Sequence, residues 1–413
     1  MHILFLTDNF PPESNAPASR TFEHCREWVR AGHRVTVITC APNFPQGRVF
    51  PGYRNRFWQQ ESMEGIKVIR VWSYITANEG FAKRTLDYMS YMITATLAAL
   101  FVRQVDLVIG TSPQIFTTCA AYVVGLVKRT PFVFELRDLW PESIRAVGAM
   151  KNPRWLERLE RLELFLYRKA AAIVSVTHSF RRNLVSRGID PEKIHVVTNG
   201  VDLSHFRPRK KDKELSSQLG LEGKFVAGYI GTHGMAHALG TLLEAAQRLR
   251  KFPEGDRYRI IFLGAGAERD NLRATAERMG LDNVLFLEPV SKEQVPRYWS
   301  LLDVAIIHLK KTELFTTVIP SKLFECMGMG LPVLHGVAGE SADIVNKEGV
   351  GIVFEPENPV TLSEGIRQMQ ESDEQYREMS SLALQVAHRY DRKSLAAQML
   401  GVLEQTVGPD VAH

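Results

Sequence analysis

Two series of short apolar segments, each alternating with amphipathic stretches, bound what this chain can fold into. In the first half, strands are expected at residues 3–7, 34–39, 66–71, 107–110, 132–135, 173–176 and 195–197. Between them, apolar residues recur at helical spacing across 19–31, 85–102, 115–128, 153–169 and 179–187. Such alternation implies a parallel sheet covered by helices on both faces. The charged, proline-containing run Arg207-Pro208-Arg209-Lys210-Lys211-Asp212-Lys213 interrupts the pattern and reads as a linker within 206–221. A second series follows: strand 226–230, a glycine loop at 231–237, helix 239–250, strand 258–263, the turn Gly264-Ala265-Gly266, helix 269–279 and strand 284–287.

At 413 residues the chain exceeds what one core usually holds. Two Rossmann-like domains are therefore expected, 1–205 and 206–385, facing each other across a cleft. Ligand sites are expected at the carboxyl ends of their strands. A helical run at 382–407 is longer than the second sheet needs, and is expected to cross back to the first domain over about 386–413.

Charge is uneven. Residues 1–205 carry 26 Lys and Arg against 18 Asp and Glu, net +8; the remainder carries 25 against 28, net −3. A basic first half suits an acidic ligand or an anionic membrane surface, and it also fits random drift of surface charge. Cys25, Cys40, Cys119 and Cys326 lack the spacing of a zinc site or a disulfide framework, which fits a reducing cytosol. The chain enters a strand pattern at once, so no secretory leader is expected. Residues 88–102 contain 15 residues without a charge, short of the roughly 20 needed to span a bilayer. The segment reads as a buried helix or as a helix with one face on lipid, flanked by Lys83, Arg84 and Arg103.

The most chemically pointed stretch is Pro320-Ser321-Lys322-Leu323-Phe324-Glu325-Cys326-Met327-Gly328-Met329-Gly330-Leu331-Pro332. Ser321 is expected to cap a helix that Gly330 stops and Pro332 prevents from continuing. A helix start offers unpaired amides and partial positive charge, which suit a phosphate, and Lys322 adds a full charge there. Glu325 lies one turn deeper on the same face, where a carboxylate can accept from a ribose diol. The plainer alternative is a capped helix with a solvated glutamate.

Elsewhere, the loop after the first strand, residues 7–20, is rich in proline where a dinucleotide fold would carry G-x-G-x-x-G, which disfavours NAD or FAD. Arg20 follows it, able to reach an anion. Arg137 and Asp138 follow a buried strand directly, either as site residues or as an internal ion pair. Gly228-Tyr229-Ile230-Gly231-Thr232-His233-Gly234 lets backbone approach a phosphate but lacks the G-K-[ST] of a P-loop. Gly264-Ala265-Gly266 is a weaker glycine turn of the same type.

These stretches, with Phe10-Pro11-Pro12-Glu13-Ser14-Asn15, Arg137-Asp138-Leu139-Trp140-Pro141-Glu142-Ser143 and Val197-Thr198-Asn199-Gly200-Val201-Asp202, resemble family 4 glycosyltransferases of the two-Rossmann GT-B fold. Within that family the chain is similar to the WbuB-like L-fucosamine transferases of surface polysaccharide synthesis. The resemblance implies a retaining transferase that needs no metal or other cofactor, with a nucleotide-sugar donor, UDP-linked, in the second domain. It implies a lipid-linked or glycan acceptor in the first domain, and no nucleic acid partner. Donor contacts are implied for Gly231, Thr232, His233, Gly234, His237, Gly264, Val290, Thr317, Ser321, Lys322, Leu323 and Glu325. Acceptor contacts are implied for Asn15, Arg20, Arg137, Asp138 and His178. Catalysis is assigned to Lys322, helped by Arg137 and Asp138 as positioning groups.

The chain departs from the family pattern in three places. Thr317 stands where the first glutamate of E-x7-E is usual. Thr232, His233 and His237 stand where the glycine loop usually has Arg and Lys, and Arg137 replaces a histidine. A cytoplasmic protein, peripheral on the inner membrane face, is expected. A nucleotide-sugar 2-epimerase and a non-catalytic sugar-nucleotide-binding protein are the alternatives.

Overall fold

A computed structural model describes residues 1–13, 15–44, 46–76, 81–139 and 153–408. The chain divides into two compact units: residues 1–199 with 392–413, and residues 200–391. Each is a helix-covered, essentially parallel sheet, the architecture of the GT-B fold.

In the first unit, β1 (His2–Leu6), β2 (Arg34–Cys40), β4 (Ile66–Val71), β5 (Leu107–Thr111), β6 (Phe132–Leu136), β7 (Ala172–Ser175) and β8 (Ile194–Val196) run parallel. Their near-continuous apolar sequences reflect burial on both faces, as in the wholly buried His-Ile-Leu-Phe-Leu of β1. One strand was not expected. β3 (Gln59–Met63) pairs antiparallel with β4 at the sheet edge, order β3-β4-β2-β1-β5-β6-β7-β8. Its polar sequence gives no alternation; the legible signal was the turn Glu64-Gly65, with φ of 49° and 83°, a hairpin geometry that favours glycine.

One face of this sheet is covered by the helices Phe81–Leu100, Ile115–Lys128, Pro153–Lys169 and His178–Ser186. The other carries Ala16–Arg30 and Arg392–Val407, joined where Trp28 Nε1 donates to Ala396 O at 2.9 Å. The first of these starts three residues earlier than its apolar spacing suggests, because the Asn15 side chain accepts from the Ala18 amide at 2.9 Å and Pro17 suits the first turn. The run at 382–407 is not one helix: Asp373–Ala387 ends in a tight turn at His388–Tyr390, and extended Asp391 precedes Arg392–Val407. Residues 409–413, the end of the expected crossing segment, lie outside the described residues.

The helix Phe81–Leu100 is divided along its length. Tyr91, Ala95, Ala98 and Ala99 are buried, whereas Leu86, Met89, Ile93, Leu97 and Leu100 are exposed. Wholly buried packing of 88–102 is thereby corrected: Tyr91 and a row of alanines face the core, and large apolar residues face out. Among the described residues no helix is long and apolar enough to cross a membrane.

The second unit has six parallel strands, β9 (Phe225–Ile230), β10 (Tyr258–Leu263), β11 (Val284–Leu287), β12 (Val304–His308), β13 (Val333–Gly336) and β14 (Gly351–Val353), in the order β11-β10-β9-β12-β13-β14. Strand order reverses between β9 and β12, the place where open α/β sheets present their ligand loops.

Candidate active site

The helix Lys322–Met329 follows β12 through a turn at Leu314–Thr317. Its end is as the sequence suggests: Gly330 takes φ 66°, and the Leu331 amide returns to Cys326 O at 2.9 Å. Its start corrects one expectation. Ser321 is already helical (φ −59°, ψ −26°) and its side chain caps nothing. Instead the first turn is tight, the amides of Leu323 and Phe324 bonding to the carbonyls of Pro320 and Ser321, each at 3.1 Å. The amides of Ser321 and Lys322 find no acceptor among the described residues, so two donors remain at the tip. Leu323 itself is buried in the core, with Val290 half-buried against the same cluster. Thr317 Oγ1 donates to Leu314 O at 2.8 Å. The preceding residue, Thr316, abuts Gly339, whose φ of 80° and lack of a side chain allow the approach.

The Lys322 side chain crosses to the loop after β9. A methyl group on Gly231 would overlap its stem and lie 2.5 Å from Nζ. The ammonium stands 5.7 Å from the centre of the Tyr229 ring, whose hydroxyl donates to Thr232 O at 2.9 Å. Burial pulls this ammonium below its ordinary range, and Glu325, one turn along, pulls the other way. Glu325 accepts from Trp299 Nε1 at 3.4 Å. Neither Tyr229 nor Trp299 carried a sequence signal, since each reads as an ordinary core aromatic.

The two glycine turns are one structure. The amides of Gly231 and His233 bond to Leu263 O and Ala265 O at 2.9 and 2.8 Å, extending the β9–β10 pairing into the loops. A side chain at Gly264 would strike the Gly231 carbonyl, and one at Gly266 the His233 carbonyl. Thr232 is exposed; Gly234 has room for a methyl group and leads into the turn at Met235–His237.

The histidines do not supply the missing positive charge. His233 is fully buried with both ring nitrogens unpartnered; burial, then Arg269 and Lys322, push it down to about 4. His237 is also pushed down to about 4, by burial and then Lys322. It is tied across the switch point to β12: His308 Nδ1 donates to His237 O at 2.7 Å while His308 Nε2 accepts from the Glu357 amide at 2.9 Å. Both rings are therefore neutral near pH 7, leaving Lys322 and the two amides as the positive end of the site.

In the first unit, Arg20 is buried and bonded throughout: Nε to Glu135 Oε1 at 2.9 Å, Nη1 to Thr198 O at 2.7 Å and Nη2 to Val197 O at 3.0 Å. Burial works to raise the Glu135 carboxyl, and the Arg20 and Arg137 guanidiniums outweigh it, holding Glu135 below its usual range. Arg137 Nη1 donates to Pro17 O at 3.2 Å, and Ser112 Oγ accepts from the amides of both Arg137 and Asp138, at 2.8 and 3.2 Å. His178 is exposed at the start of its helix. Asn15 is used as the cap of Ala16–Arg30 and also donates to Asn9 Oδ1 at 2.6 Å. Trp140 to Ser143, and Ser14, lie outside the described residues. Sequence reasoning missed Glu135, the partner of Arg20, because it reads as the last residue of a strand.

Comparison with known proteins agrees with the two-domain fold. A glycosyl transferase 4-like domain matches residues 15–200, and the glycosyl transferases group 1 domain matches residues 211–385. WcaI of Escherichia coli (strain K12), named for glycosyl transfer in colanic acid biosynthesis, is 25% identical over 389 residues, covering 89% of this chain and 92% of the relative. TuaH of Bacillus subtilis (strain 168), named for glycosyl transfer in teichuronic acid biosynthesis, is 26% identical over 250 residues, 60% of this chain and 61% of the relative. Among solved structures, Anabaena Alr3699/HepE, crystallised with UDP and with UDP-glucose, superposes with a TM-score of 0.70 at 18% identity, over 98% of this chain and 99% of that one. With a glycosyl transferase 4-like domain followed by a group 1 domain, the chain belongs to the glycosyltransferases of the GT-B fold.

Proposed function

We propose that the chain transfers a sugar from a UDP-linked donor to a lipid-linked or glycan acceptor during assembly of a surface polysaccharide. The observation that carries this reading is the tip at Ser321 and Lys322: two open amides and an ammonium beside a glycine turn, at the strand-order reversal of the second unit. Breaking the bond between an anomeric carbon and a diphosphate builds negative charge on the leaving group. Fixed donors already aimed at it stabilise that charge without reorganising. In this reading Lys322 and the amides of Ser321 and Lys322 hold the diphosphate, Glu325 accepts from the ribose hydroxyls, and the backbone at Gly231 and Gly264 lets the donor approach. Arg137 and Asp138 position the acceptor. Retention of anomeric configuration and an N-acetylated deoxyhexosamine as the sugar follow from the family resemblance. The names of WcaI and TuaH support a polysaccharide role, and the complexes of HepE support UDP.

The bare row on Phe81–Leu100 supports an acceptor presented at a membrane. With Phe101, Leu126 and Val127 it makes an apolar surface, and Lys83, Arg84, Arg103 and Arg129 are exposed along the same segments. Apolar side chains framed by cations suit the headgroup region of an anionic bilayer. The test is release of UDP from a panel of UDP-sugars, with and without a bacterial lipid extract. Acceptor-dependent release supports the reading. Donor epimerisation without acceptor, or binding without turnover in every mixture, contradicts it.

A further inference from the structure

The carboxyl ends of β1, β2 and β5 surround a second cavity, of about 230 Å³, which the donor chemistry leaves unused. It lies where strand order reverses in the first unit, between β1 and β5, and there Gln114 Nε2 donates to Asp8 Oδ2 at 2.6 Å. Three carboxylates line it: Asp8, Glu13 and Asp87. Glu13 is 4% exposed; its Oε1 accepts from the Asn43 and Phe44 amides, both at 2.8 Å, and its Oε2 is buried with no partner. A buried carboxylate oxygen in that state calls for a donor the protein does not provide. Arg84 is the cation among the described lining residues, and its guanidinium rests on Tyr88, 2.8 Å from the hydroxyl.

We infer that this cavity seats one sugar ring of the acceptor, held through hydroxyl or amino hydrogens by Glu13, Asp87 and Asp8, and that it rejects an anionic ring. The inference rests on the glycosyltransferase reading and specifies its acceptor. Its volume falls below the roughly 300–1,000 Å³ of pockets for drug-sized ligands, which suits a single ring. Carboxylates only accept when ionised, so a ring that donates completes them and a carboxylate-bearing ring repels them. Burial raises Asp8 and Glu13, and burial followed by the charge of Asp8 raises Asp87 to about 7, so the cluster resists further negative charge and is drawn to its ionised form by a donating or cationic ring. Asp87, Tyr88 and Tyr91 come from the same helix that bears the bare apolar row, so a sugar tethered to lipid can enter while its anchor stays in the bilayer.

Saturation-transfer NMR on the full chain tests this with three probes: methyl glucoside, its 2-amino-2-deoxy analogue and methyl glucuronide. The first two are expected to be saturated and the glucuronide not. Asp87→Asn, and separately Glu13→Gln, should weaken the amino glycoside by about tenfold or more, the loss of a hydrogen bond to a charged group. UDP binding in the same samples should be unchanged, and the circular dichroism spectrum of each variant should match that of the unsubstituted chain, which reports that the first unit is folded. Saturation of the glucuronide as strong as that of the neutral glycoside overturns the inference. So does absence of saturation for every probe, or wild-type binding in both variants. Glycoside binding without any UDP binding would instead overturn the donor reading and leave this pocket standing.

Discussion

Lys322 and Gly231 are in direct contact: the lysine stem occupies the space where a β-carbon on residue 231 would sit. The helix tip and the glycine turn are therefore one site, and residue 231 sets where the ammonium lies. Gly231→Ala is expected to displace that ammonium and lower kcat by about 100-fold or more, the usual cost of losing one aligned donor. Circular dichroism should still show a folded chain. Unchanged kcat would mean that the position of Lys322 is immaterial.

Replacing the charge tests it more bluntly. Lys322→Ala should lower kcat by about 100- to 1,000-fold, or about 2.7–4 kcal/mol of transition-state stabilisation, at saturating donor. Single-turnover measurements separate this from weakened binding. Wild-type turnover would remove Lys322 from the chemistry.

Glu325 is expected to act on binding more than on rate. Glu325→Ala should raise the donor Kd by about 10-fold or more, since hydrogen bonds to a charged group are worth about 1.5–3 kcal/mol. Trp299→Phe, which removes the 3.4 Å bond to Glu325 together with part of a buried ring, should give a smaller change in the same direction. Titration calorimetry with UDP checks both, and an unchanged Kd in Glu325→Ala would exclude a ribose contact.

Three imidazoles held well below their ordinary range give the second unit an acid sensitivity. His233 and His237 are pushed to about 4 and His335 to about 3, in each case chiefly by burial, from an ordinary 6.5. Their unfolded forms take up protons first, so stability is complete above about pH 6.5 and declines as pH falls from there towards 4. Each unit of depression corresponds to about 1.4 kcal/mol. Thermal melts across this range should show the decline. Both nitrogens of His335 lack partners, so His335→Leu should cost nothing at pH 7 and flatten the profile. A steeper profile in that variant would contradict the assignment.

Much of this was legible beforehand because it depends on periodicity and on backbone-breaking residues. The apolar runs marked strands in both sheets, Gly330 marked the end of the Lys322–Met329 helix, and Gly231 and Gly264 marked turns that meet. What escaped depended on partners distant in sequence. The polar edge strand Gln59–Met63 has no buried face to pattern it. Arg20 looked like an anion-seeking surface residue until its contacts with Glu135 and the carbonyls after β8 were seen. Ser321 has the composition of a cap, yet the tight first turn leaves its side chain idle and frees two amides in its place. The neutrality of His233 and His237 follows from burial, which composition does not reveal.

The most direct test of the central claim is a crystal structure of the protein grown with UDP. The account predicts the diphosphate within hydrogen-bonding distance of the Ser321 and Lys322 amides and of Lys322 Nζ, with the ribose hydroxyls on Glu325. UDP bound in the first unit, or a diphosphate held away from Ser321 and Lys322, would contradict it.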